Sequence, residues 1–153
     1  MPPAVFRSSG RPGFTTEVAG NLRHVKARKL EREVQVQFTP TDRRLQTPEG
    51  VVYAKAGDAI LTGADGEQWR VSQARFAEKY RPWPPVHVGE PGAYLSMRIR
   101  VLALQMAEPF QVWLADGISR LAGRAGDWLV DYGDGSLGVV ASATFATTYE
   151  ITD

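Results

Sequence analysis

The sequence predicts an α+β fold that is mostly β: two tandem small antiparallel β-rolls or half-barrels. Each is closed by one short helix, and a pseudo-two-fold axis relates them. Three observations lead there. A spacing of 69 residues pairs Gly57 with Gly126, Asp58 with Asp127, Asp65 with Asp134, Gly66 with Gly135, Val71 with Val140, Phe76 with Phe145 and Tyr80 with Tyr149, all without a gap. Short apolar runs punctuated by Gly-Asp and Asp-Gly read as strands joined by tight turns. Phe76/Tyr80 and Phe145/Tyr149 each lie four apart, so each pair shares one face of a short helix.

The order of elements follows from local chemistry. Residues 1–22, with Pro2, Pro3, Ser8, Ser9, Gly10, Pro12 and Gly13, show no periodicity and read as a loosely ordered basic arm. Thr15 to Leu30 allows no assignment beyond a short helix interrupted by Gly20 and Asn21. The first β-rich repeat is expected over 23–82. In it Glu33-Val34-Gln35-Val36-Gln37-Phe38 alternates as a half-buried strand does. Leu45–Thr47, Val51–Lys55, Ala59–Gly63 and Glu67–Val71 follow as strands. Asp65-Gly66 is expected to form a type I′ hairpin turn, and Ser72 to cap the helix without a capping box, since Arg75 stands where Glu or Gln would close one. A Pro-rich linker over 83–93 leads to the second repeat, 94–153, where Leu102, Leu104 and Met106 match Val34, Val36 and Phe38 at a spacing of 68. A repeat of roughly 60 residues is marginal alone, so the two copies are expected to share an interior.

Composition narrows the classes. Hydrophobic residues make up 43% and charged residues 23%, which is globular usage and excludes a fibrous or disordered chain. The absence of cysteine excludes disulfides and thiolate sites and fits a reducing compartment. With no apolar run of membrane length and no signal-peptide pattern, a soluble cytoplasmic protein without membrane contact is expected. The net charge of +1 hides an asymmetry: residues 1–32 carry seven Lys or Arg against Glu17 and Glu31.

The order Gly-Asp, apolar strand, Gly-Glu-Gln-aromatic, Phe-x-x-x-Tyr resembles the PGDYG domain family, which occurs in phages and bacteria. The matching stretches are Lys55-Ala56-Gly57-Asp58 and Arg124-Ala125-Gly126-Asp127, with Ala56 and Ala125 standing where the family name has Pro. The resemblance covers roughly 26–81 and 94–152. It supports the β-rich fold and implies no reaction.

Candidate chemistry is sparse. Asp58 and Asp127 could share a proton or a cation if brought together, although an Asp after Gly also caps a tight turn. Glu67, Trp69, Trp113, Trp128 and Tyr132 complete the candidate ligand-binding set. Trp128 and Tyr132 share one strand face, and Trp113 lies on the outward parity of its strand. Arg23, Lys26, Arg28, Lys29 and Arg32 read as a solvated face, with phosphate or nucleic-acid contact the less favoured role. His24 and His87 have no metal-ligand spacing, and no cofactor motif is present. The expected function is a non-catalytic binding or protein-interaction module, with an unknown protein or small molecule held in the groove between the repeats. The alternatives are a small carboxylate-dependent enzyme acting on a nucleotide-like substrate, and nucleic-acid binding through the basic N-terminal arm.

Overall fold

The computed structural model describes residues 3–97 and 99–152. The chain opens with β1 (Ala4–Arg7), α1 (Thr16–Ala19) and β2 (Val25–Lys29). Next come β3 (Glu33–Phe38), β4 (Arg43–Thr47), β5 (Gly50–Ala54), β6 (Ala59–Thr62), β7 (Gln68–Val71), α2 (Gln73–Lys79) and β8 (Tyr80–Pro82). The same succession then recurs as β9 (Gly92–Ser96), β10 (Ile99–Gln105), β11 (Phe110–Trp113), β12 (Arg120–Gly123), β13 (Trp128–Asp131), β14 (Leu137–Val140), α3 (Ser142–Thr148) and β15 (Tyr149–Ile151). The fold is mostly β, its sheets are open, and no helix among the described residues is long and apolar enough to cross a membrane.

The chain divides into two compact units. Unit 1 comprises Met1–Lys29 and Ile99–Asp153, and unit 2 comprises Leu30–Arg98. Unit 2 holds a five-stranded sheet in the order β7-β6-β3-β9-β8 and the hairpin β4-β5. Alternation in β3 buries Val34 and Val36 against Leu61, Tyr94 and, from α2, Phe76. Ser72 caps α2 by accepting from Arg75 N at 3.4 Å, and Phe76 stacks on Tyr80 with centroids 5.0 Å apart.

Unit 1 holds a five-stranded sheet in the order β14-β13-β10-β2-β15 and the three-stranded sheet β1-β11-β12. One face of the larger sheet packs Val101, Ala103 and Val130 with Phe145 and Tyr149. Its other face packs Leu102, Leu104, Leu129, Leu137 and Val139 with Phe110 and Val112 of the smaller sheet and Val18 of α1. Each of the three clusters of buried apolar side chains thus lies within one unit.

The two five-stranded sheets have matching registers. Ala59 pairs with Val71 and Trp128 with Val140; Glu33 pairs with Leu95 and Arg100 with Arg28; Tyr80 pairs with Ser96 and Tyr149 with Lys29. In chain order β2 precedes β3 as β9 precedes β10. Yet β2 pairs with β10 and β15, while β9 pairs with β3 and β8. Each sheet is therefore completed by the strand that stands next in sequence to the other sheet's central strand.

Those registers correct the alignment of the central strands. Val36 pairs with Leu61 and Ala103 with Val130, so Val36 corresponds to Ala103 and Phe38 to Gln105, at a spacing of 67 and not 68. The physical reason is that Val101, Leu102, Ala103 and Leu104 are all buried. A strand covered on both faces carries no alternation to fix which side chains point where, and a slip of one exchanges the faces.

Two further stretches differ from the sequence reading. Residues with the composition of a loose arm are tied down: β1 adds in parallel to β11, Gly10 N donates to Gly135 O at 2.8 Å, and Gly13 N donates to Gly133 O at 2.8 Å. Backbone groups do this work, which side-chain composition does not report. At the Asp65-Gly66 turn only Gly66 is left-handed (φ 79°), and Gly66 N donates to Gly63 O at 3.1 Å. The loop is longer than two residues, so it is a type I turn closed by a left-handed glycine and not a type I′ turn.

Candidate functional site

The two Gly-Asp turns are built alike. In unit 2, Gly57 (φ 92°) lets Asp58 N turn back to Lys55 O at 2.9 Å, and Gly57 N donates to Thr39 O at 2.8 Å. In unit 1, Gly126 (φ 94°) serves Asp127 N and Arg124 O at 3.0 Å, and Gly126 N donates to Met106 O at 2.7 Å. Both are type II turns with glycine at the left-handed position. Each Asp side chain closes its own turn, accepting from Lys55 N at 2.9 Å and from Arg124 N at 2.9 Å.

Beyond that the two carboxylates differ. Asp58 is buried and also accepts from Arg70 Nε at 2.9 Å and from Gln73 N, the first residue of α2, at 3.3 Å. Val139 stands where Arg70 does in the matching register. Asp127 makes no ion pair among the described residues and is only half-buried. Glu67 is likewise occupied locally: its Oε1 accepts from Asp65 N at 3.2 Å across the hairpin. Trp69 packs half-buried against the unit 2 core.

Unit 1 carries a shallow concave feature. A cleft of about 340 Å³ is lined by Gln105, Trp128, Ser142, Phe145, Tyr149 and Ile151, together with Ala146. Its floor is a column of rings: Trp128 stacks on Phe145 at 4.0 Å and Phe145 on Tyr149 at 4.8 Å, both nearly parallel. Tyr132, on the same strand face as Trp128, joins the column through Tyr149 Oη, which donates to Tyr132 Oη at 3.4 Å. Gln105 Nε2 is held by Gly126 O at 3.0 Å.

The corresponding positions in unit 2 are filled differently. Phe38 stands where Gln105 does and Ala59 where Trp128 does. Phe38 meets Phe76 edge-on at 5.4 Å and Tyr94 at 6.2 Å. Large and small have changed strands, and an amide replaces a ring. Of the candidate ligand-binding residues read from the sequence, Trp128 lines this cleft and Tyr132 lies beside it; Gln105, Phe145 and Tyr149 were not among those candidates. The helix pair Phe-x-x-x-Tyr was visible, but the residue beside it at the cleft is Gln105, whose register the sequence left one step out.

Trp113 sits elsewhere in unit 1, in a row across three strands: Arg7 pairs with Trp113, and Trp113 with Arg120. Both guanidinium carbons lie over its ring, at 5.6 Å and 5.5 Å. The basic residues expected as one face are divided. Lys26, Arg28 and Lys29 lie on β2, with Arg28 paired to Glu150 at 3.5 Å, and Arg23 lies in an exposed turn of unit 1. Arg32 belongs to unit 2, where its N–H donates to Ser96 Oγ at 2.9 Å.

The family model described as PGDYG protein matches residues 50–150, from β5 through the start of β15. No curated protein and no solved structure matches the chain. The matched span takes in both Gly-Asp turns and the aromatic cleft, and on its strength the chain belongs to the PGDYG family.

Proposed function

We propose that the protein is a non-catalytic binding module, made by tandem duplication of a β-rich unit whose first strand has been exchanged between the copies. Its ligand site is the cleft of unit 1, and its ligand presents a flat, largely apolar ring. The observation that carries this reading is the cleft beside Gln105, where half-buried Trp128 stacks on the buried ring of Phe145, at positions where unit 2 has Ala59 and Phe38. A volume of about 340 Å³ is at the small end of ligand sites, and stacked rings favour a planar partner. The matching registers and the equal Gly-Asp turns support the duplication. The non-catalytic part is supported by Asp58 and Glu67, whose carboxylates are engaged within their own turns.

The test is an NMR titration of the full chain with a set of planar heteroaromatic fragments. Saturable shifts at the Trp128 indole and the Gln105 amide are expected, lost in Gln105→Phe, which restores the side chain that unit 2 carries. Shifts scattered over the surface, or binding that survives Gln105→Phe in a folded protein, contradict the site.

A second reading has its own observation. Exposed Arg7 and Arg120 flank the half-buried ring of Trp113, the composition of a single-stranded nucleic-acid surface. It requires affinity for oligonucleotides that falls steeply with salt and weakens in Arg120→Ala; retention unchanged by either removes it.

A further inference from the structure

The hairpins β4–β5 and β11–β12 occupy the same place in their units, each inserted between the central strand and the strand after the Gly-Asp turn. Their registers match as well: Leu45 pairs with Val52 and Val112 with Leu121. They differ in one respect. In unit 1 the side of β11 away from β12 is covered by β1, running parallel, with Phe6 opposite Val112 and Arg7 opposite Trp113. In unit 2 the hairpin is a two-stranded sheet among the described residues, so the same side of β4 is an edge there. An edge strand presents alternate N–H and C=O groups that template another strand.

We propose that the free edge of β4 is a strand-addition site for an extended acidic segment of a partner protein, laid parallel to β4 as β1 lies on β11. Charge selects the partner. Arg43 and Arg44 are exposed at this edge, and neither makes an ion pair among the described residues. Two like charges on an edge strand repel a second copy of a basic edge and attract carboxylates. The face pattern sets the rest of the motif. Leu45 and Thr47 point into the unit and are buried, whereas Arg44 and Gln46 point outward. The residue opposite Leu45 is therefore apolar, as Phe6 is opposite Val112, and its neighbours opposite Arg44 and Gln46 are acidic or polar. Tyr53, exposed and opposite Arg44, extends the outward surface on which those side chains rest. The chain's own β1 does not serve here: it is engaged on β11, and it ends in Arg7.

The probe is a fluorescein-labelled octapeptide alternating glutamate with valine, titrated into the full chain and followed by fluorescence anisotropy and amide hydrogen exchange. The expected result is saturable binding with exchange slowed at residues 43–47. Affinity should drop about tenfold in Arg44→Glu, and the same peptide with lysine in place of glutamate should not bind. The proposal is overturned by no saturation, equal binding of the lysine peptide, slowing confined to segments other than β4, or affinity unchanged in Arg44→Glu. Peptide-free protein that already protects 43–47 by dimerising also overturns it, by assigning the edge to a second copy. Failure here leaves the unit 1 cleft untouched, because the two sites share no residue.

Discussion

Asp58 and Asp127 occupy matching turns, and Asp58 has two partners that Asp127 lacks, Arg70 Nε and Gln73 N. Asp58 is buried against Arg70, with side-chain exposures of 7% and 17%, so removing the carboxylate strands a cation with little water to solvate it. Asp58→Ala should therefore destabilise the protein by about 3 kcal/mol in urea unfolding. Asp127 loses only its hydrogen bond from Arg124 N; Asp127→Ala should cost about 1 kcal/mol. Equal costs would mean that the contacts with Arg70 and Gln73 N contribute nothing. This much was half legible. The spacing that pairs the two Asp residues also pairs Arg70 with Val139, but a spacing does not tell which arginine reaches a carboxylate. The turn glycines were legible outright, since a left-handed residue before Asp has few alternatives.

At the level of elements, legibility followed the pattern of burial. β3, buried on one face, alternates and was readable; β10, buried on both, was readable as a strand but not in its register. β2, β8, β9 and β15 are three to five residues long and lie at sheet positions that no local signal specifies. The N-terminal segment was opaque for another reason, because it is held by its backbone. That attachment has a weak point at Gly135 (φ 92°), where an added Cβ would run into the backbone N and O of Arg11. Gly135→Ala should release the segment, raising amide exchange at residues 8–13 while α3 keeps its protection; unchanged exchange there would show that the close approach does not matter. At the cleft, Gln105→Phe should be accepted without loss of stability, since Phe38 fills the matching position; a drop of more than about 2 kcal/mol in urea unfolding would show that the two sites are not equivalent.

For the whole molecule, the sequence delivered the β-rich class and the family but not the path of the chain. Short connections make the neighbour in sequence the natural neighbour in a sheet, and by that rule β2 belongs beside β3. Only Leu30 to Arg32 separate them. The structure places β2 beside β10 and β9 beside β3, so each unit needs both halves of the chain to complete its sheet. Removing residues 23–29 should accordingly disturb unit 1 through β10 and β15 before it disturbs the sheet of β3, which hydrogen exchange resolved by segment can read. Protection lost first in β3 would contradict that order.

The pairing of β2 with β10 can be tested directly, because the chain has no cysteine to interfere. Arg28 and Arg100 are cross-strand partners, and facing residues in an antiparallel pair are within disulfide reach. A protein carrying Arg28→Cys and Arg100→Cys should oxidise fully to an intramolecular disulfide, whereas Arg28→Cys with Glu33→Cys should stay reduced. Rapid oxidation of the second pair with none in the first would put β2 in a local hairpin with β3 and contradict its place beside β10.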